Sequence, residues 1–144
     1  MTREAGYLLD TNVISETRRR HMDASVWSFL TSTRAEQLYL SVLTIGELRK
    51  GISSVARRDV VYAQELASWV TNLEEHYASR LLVVDQAVAR QWGDLAVQRS
   101  RPIIDTLIAA TALVHGLTLV TRNVRDVADT GVELLNPWQT SFTS

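Results

Sequence analysis

Five short apolar segments recur along this chain, each separated from the next by a stretch of helical character, and that alternation limits the folds open to it. They are Tyr7-Leu8-Leu9, Leu38 to Val42, Leu81-Leu82-Val83-Val84, Leu117 to Thr121 and Val132 to Leu135. Each has the length and apolar character of a short strand. Strands alternating with helices predict an α/β domain with a mostly parallel, about five-stranded sheet.

The segments between them carry helix signals. One helical stretch runs from Asp10 through Arg20 and a second from about Ala24 to Thr33. Ser41 and Thr44 offer amino-caps for a helix to about Ala56, Asp59 caps a longer one to about Tyr77, and Asp85 caps Gln86 to Arg99. Arg101-Pro102 interrupts, because the residue before proline avoids helical geometry. Asp105 then opens a helix over Thr106 to His115, with Gly116 as its left-handed terminator. No repeat, low-complexity tract or linker divides the 144 residues, so 1–144 is expected to form a single domain.

Composition excludes several classes of function. Hydrophobic residues make up 46% and charged residues 22%, ordinary globular values without a disorder signature. The absence of cysteine removes disulfides, thiolate nucleophiles and cysteine zinc sites together. The three strongly apolar residues before Asp10 are too few for a signal segment, and no apolar run approaches the ~20 residues of a spanning helix. A soluble, cytoplasmic protein with no membrane partner is expected.

Four acids stand at positions the fold would bring together. Asp10 directly follows the first strand, Glu47 lies one helical turn past the second, Asp126 is five residues past the fourth, and Asp105 opens a helix. In open parallel sheets ligands bind beyond the carboxyl ends of the strands, the edge at which the helices start. Each acid also has a purely structural use. Asp10 fits an Asx turn or cap, Glu47 completes the capping-box spacing of Thr44-Ile-Gly-Glu47, Asp105 fits an amino-cap and Asp126 a polar turn. Convergence on one edge favours a shared site.

Two carboxylates about 4 Å apart repel by roughly 4 kcal/mol at an effective dielectric of 20, so a cluster of four requires cations. Oxygen donors without cysteine suit Mg²⁺ or Mn²⁺. Paired ions ~3.5–4 Å apart can activate water and stabilise the leaving oxygen of a phosphodiester. No protein base is then needed, and His21, His76 and His115 read as structural. His115 falls in the last turn of its helix, where a cation suits the dipole.

The sequences around the acids resemble the PIN-domain ribonucleases, in particular VapC-type toxins of bacterial toxin–antitoxin systems and their FitB-like relatives. The resemblance rests on Leu8-Leu-Asp-Thr-Asn-Val-Ile-Ser-Glu16, Ser41-Val-Leu-Thr-Ile-Gly-Glu-Leu-Arg-Lys-Gly51, Asp105-Thr-Leu-Ile-Ala-Ala-Thr-Ala112 and Leu119-Val-Thr-Arg-Asn-Val-Arg-Asp126. It implies a PIN-like three-layer α/β/α domain with its active site at the strand carboxyl ends. By it Asp10, Glu47 and Asp105 are the core metal ligands and Asp126 a fourth, more variable acid, while Asn12, Thr121 and Asn123 support the site through hydrogen bonds. Where the family often has an aromatic residue after its last acid, this chain has Val127. The implied activity is metal-dependent endonucleolytic cleavage of RNA. The implied partners are a second copy of the chain and a small VapB-like antitoxin lying across the active site.

The charge balance bears on RNA. A net charge of −1 argues against a general nucleic-acid binder, but taking the four clustered acids out leaves the remainder at +3. Fourteen of the fifteen cationic side chains are Arg, which suits bidentate phosphate contact, although coding bias explains the count equally well. Arg49 and Lys50, within a turn of Glu47, are candidate RNA contacts. Arg18-Arg19-Arg20-His21, Arg57-Arg58 and Arg99 with Arg101 are further candidate phosphate contacts, with a solvated helix end the plainer reading of each. Trp27, Trp69 and Trp92 are expected in the core, with Trp138 packed on the domain or on a partner.

Two other readings stay open on the residues alone. Haloacid-dehalogenase-like phosphatases share the strand-end aspartate but place another two residues on, where this chain has Asn12. A catalytically silent PIN-like domain that binds RNA or protein has no need of all four acids.

Overall fold

The computed structural model describes residues 6–139, and all five apolar segments form strands: β1 (Tyr7–Leu9), β2 (Leu38–Ser41), β3 (Leu81–Leu82), β4 (Thr118–Val120) and β5 (Leu134–Leu135). Every pairing is parallel, in the spatial order β3-β2-β1-β4-β5. The central pair aligns Leu8 with Leu119 and Leu9 with Val120, and all four side chains are excluded from solvent. Strands buried on both faces need such continuous apolar sequence.

Successive strand side chains point to opposite faces, and here they seed two cores. Leu9, Leu40 and Val120 pack with Val13 and Ile14 of α1 (Thr11–Glu16) and Val26 of α2 (Ala24–Ser32). Leu48 of α3 (Val42–Ala56) and Trp69 and Leu73 of α4 (Val60–His76) close over that face. Leu8 and Leu119 pack on the other face against Ile108, Ala109 and Ala112 of α6 (Ile103–His115), with Val127 of the short helix α7 (Val124–Val127). Helix α5 (Gln86–Ala96) lies on α6 through Val88, Leu95 and Ala110. The result is a three-layer α/β/α arrangement. None of the described helices is long and apolar enough to cross a membrane.

Several boundaries differ from the sequence expectations for local reasons. Helix α1 stops at Glu16 rather than Arg20, since Thr17 turns back to bond the Ile14 carbonyl and the Asp23 amide reaches the Glu16 carboxylate at 2.8 Å. Strand β3 ends at Leu82 because its partner β2 ends at Ser41, which caps α3 through the Leu43 amide. Val83 and Val84 are left without a ladder, 57% and 38% exposed. Strands β4 and β5 are trimmed likewise, Val132 turning instead onto the Thr130 hydroxyl. Trp27, expected in the core, is 58% exposed, whereas Trp69 and Trp92 pack against it.

Two corrections concern the acids. Pro102, with its fixed φ, caps α6 and accepts from Thr106, so Asp105 is the third residue of the helix and not its opener. Ser41 caps α3, which puts Glu47 beyond the first turn and removes the capping-box reading. Gly116 terminates α6 as expected, at φ 65°.

Candidate active site

The chain leaves β1 toward β2 and β3 on one side of the sheet, then crosses to β4 on the other. The crevice between the ends of β1 and β4 is therefore the switch point at which such sheets bind ligands. Asp10 is the first residue past β1 and Thr121 the first past β4.

Asp10 is 7% exposed and held from three directions. Its amide continues the ladder to the Val120 carbonyl at 2.9 Å. Oδ1 accepts from the Thr11 amide at 2.8 Å, while Oδ2 accepts from the Thr121 hydroxyl at 2.8 Å and the Asn12 amide at 3.5 Å. Asn12 also reaches Thr121 at 3.3 Å and accepts from the Arg122 amide at 3.4 Å, and the Asn123 amide donates to the Thr121 hydroxyl at 3.0 Å. The loops after β1 and β4 are thus stitched together around one carboxylate. In this network the Asn12 side chain is a donor to Asp10.

Glu47 reaches the same place from α3. The Thr11 hydroxyl donates to its carboxylate at 2.5 Å and lies 3.0 Å from the Thr44 hydroxyl. Asp105 joins from the first turn of α6. Together Asp10, Glu47 and Asp105 line a pocket of about 540 Å³ whose rim carries Arg19, Arg122 and Trp138.

These acids act on one another electrostatically. The Asp105 carboxyl is pushed up to about 6, first by burial and then by the charges of Asp10, Glu47 and Asp126. Burial also raises Asp10, opposed by the hydrogen bonds from Thr121 and Thr11 and assisted by the charge on Glu47. Such repulsion leaves the pocket ready for a cation.

Asp126 stands differently. It sits on α7, outside the residues lining the pocket, and acts on Asp105 through its charge. Its main-chain oxygen accepts from Arg99 at 3.2 Å. Val127, the residue that replaces the expected aromatic, is 3% exposed and anchors α7 to the core beneath α6.

The basic candidates are mostly committed elsewhere. Arg49 turns to α4, pairing with Glu74 at 3.0 Å, and Lys50 lies in the neighbouring groove between α3 and Ile104. Arg99 and Arg101 converge on Asp129 at 2.6 and 3.1 Å, the Arg101 side chain being 1% exposed. Arg18 lies over the Trp69 ring. None of the three histidines lines the pocket.

Thr11, Glu16 and Arg122 were not singled out by sequence reasoning, and Trp138 was expected only to pack on the domain or on a partner, yet all four line the pocket. Thr11 and Glu16 lie inside the first recognisable block, one beside Asp10 and the other at its end. Trp138 carried no such signal, since only folding brings it against the β4–α7 loop.

The donor set fits a hard divalent ion, being all oxygen and mutually repulsive. Among the described residues no group of three or more such side chains is drawn closely enough to hold an ion unaided.

The family model described as PIN domain matches residues 7–131. The chain belongs to the PIN-domain family. Among PIN relatives, the VapC ribonuclease Y4jK of Sinorhizobium fredii is 34% identical over 139 residues, spanning 92% of this chain and 97% of that protein. Toxin FitB of Neisseria gonorrhoeae is 35% identical over 138 residues, spanning 91% and 97%. The crystal structure of FitAcB from Neisseria gonorrhoeae superposes with a TM-score of 0.85 at 31% identity, over 93% of this chain and 99% of that one. The PIN fold here therefore extends across almost all of the described residues.

Proposed function

We propose that this chain is an endoribonuclease, the toxin of a toxin–antitoxin pair, hydrolysing RNA phosphodiester bonds at the acidic pocket with Mg²⁺ or Mn²⁺ as cofactor. The observation that carries this reading is the buried Asp10 carboxylate, held at the switch point between β1 and β4 and coupled to Glu47 and Asp105. Asp10, Glu47, Asp105 and Asp126 are the catalytic and metal-holding acids in this proposal, and Asn12, Thr121 and Asn123 are positioning residues. Residues 1–144 act as one domain. The printed names of a ribonuclease and a toxin among the relatives support RNA as substrate and the toxin role.

When bound, a divalent ion supplies charge neutralisation at the phosphate and an activated water. The chain's own residues prepare for it. Thr121 and the Thr11 amide fix both oxygens of Asp10, so the carboxylate is oriented before any cation arrives. Thr11 does the same for Glu47. Asp105, whose carboxyl burial and its acidic neighbours push up to about 6, must lose its proton to contribute charge. A small VapB-like antitoxin covers this pocket in the resting pair, the toxin works as a homodimer, and its site of action is the cytoplasm. A cationic side chain from the antitoxin would satisfy the same repulsion that a metal does.

Sequencing RNA ends after brief expression of wild type beside Asp10→Asn tests the reading. New ends bearing a consistent sequence or structural context are expected with wild type alone. Identical end profiles in both would overturn it in favour of a silent RNA- or protein-binding domain.

A further inference from the structure

The pocket floor is acidic, but its rim is not. Arg19, in the turn after α1, and Arg122, in the loop after β4, both line it. Each is braced by one partner. Arg19 pairs through a single nitrogen with Glu16 at 3.4 Å, and Glu16 is itself 4% exposed and fixed by the Asp23 amide. Arg122 lies over the Trp138 ring with its guanidinium carbon 4.9 Å from the centroid. Trp138 in turn packs on the core cluster that contains Leu9 and Val120.

Such bracing orders a guanidinium and leaves most of its donors free. A cation–π contact uses the face of the group and leaves its edge N–H atoms available. Arg122 has no carboxylate partner among the described residues, although its loop borders a site crowded with them. The two arginines therefore line the pocket with donors left for an anion of their own.

We propose that Arg19 and Arg122 are the residues that grip the RNA backbone beside the acidic floor, with Trp138 as the brace that aims Arg122. This rests on the endoribonuclease reading above and assigns phosphate contact to these two residues in place of Arg49 and Lys50. Acids that gather a cation and arginines that gather phosphate are complementary halves of one phosphodiester site.

Binding of a fluorescein-labelled single-stranded RNA of random sequence, followed by anisotropy against salt in Mg²⁺, tests the assignment. The parent is Asp10→Asn, so that binding is read without cleavage. Added to it, Arg19→Gln and Arg122→Gln should each weaken binding about three- to tenfold and flatten the salt dependence by about 0.7 in log–log slope, one phosphate contact fewer. Arg49→Gln should change neither. Trp138→Leu should weaken binding while keeping the slope, because the charge remains, and Trp138→Phe should restore affinity.

Unchanged affinity and slope in Arg122→Gln, with melting temperature retained, would overturn the proposal. So would an effect of Arg49→Gln equal to that of Arg122→Gln, or a parent that binds no RNA. Failure of the nuclease reading looks different: wild type would bind RNA in an Arg122-dependent way and yet produce no new RNA ends in Mg²⁺.

Discussion

The Thr121 hydroxyl donates to Asp10 Oδ2 at 2.8 Å, joining residues 111 positions apart and tying the end of β4 to the end of β1. The bond orients a carboxylate that burial would otherwise push toward its neutral form. Thr121→Val removes a donor from a buried acid, at a cost of about 1–3 kcal/mol. Burial already holds the Asp10 pKa above its unfolded value, so ionisation costs stability as pH rises through the folded value. Without Thr121 that cost grows. The loss of melting temperature in Thr121→Val should therefore be larger at pH 7 than at pH 4, with Thr121→Ser close to wild type.

Asp105 gives a second pH effect. Its folded pKa of about 6 stands above the ordinary 3.8, so the folded state binds the proton more tightly than the unfolded chain does. Stability from this group is complete below pH 3.8 and is lost as pH rises through about 6. In EDTA at pH 7.5, Asp105→Asn should melt above wild type, while at pH 4 the two should converge. The same variant should lose RNA cleavage.

Divalent metal should reverse that instability. An ion that binds only the folded state stabilises it by about 2.7 kcal/mol at a hundred times its Kd. Thermal melting of wild type should shift upward with millimolar Mg²⁺ or Mn²⁺. Asp10→Asn and Asp105→Asn should shift far less at the same concentrations.

Asp129 holds the loop behind the site. It receives Arg99 and Arg101, and the Arg99 hydrogen bond, with that from Arg101, holds its carboxyl at about 2. A depressed carboxylate contributes stability above pH 3.8 that is lost as pH falls through about 2. Asp129→Asn should lower the melting temperature at neutral pH and leave little difference at pH 2. Because Arg99 also bonds the Asp126 carbonyl, the variant should show faster amide exchange across α7.

Much of this was legible before folding. Short apolar runs buried on both faces marked every strand, and the positions of Asp10 and Glu47 after the first two strands pointed to the same sheet edge. What could not be read was set by contacts distant in sequence. Strand β3 is short because β2 ends, α6 starts early because Pro102 caps it, and Trp138 enters the site because the tail folds back onto the core. The fate of each arginine was equally hidden. Arg49 and Arg122 look alike in sequence, but only one of them meets a glutamate on a neighbouring helix.

The two outer strands, β3 and β5, are each two residues long. A rim so short exposes few unpaired main-chain groups, so another polypeptide gains little by adding itself to the sheet. A docking polypeptide is thereby steered to helix faces and to the mouth of the acidic crevice. The short rim in this way keeps the domain from edge-to-edge association.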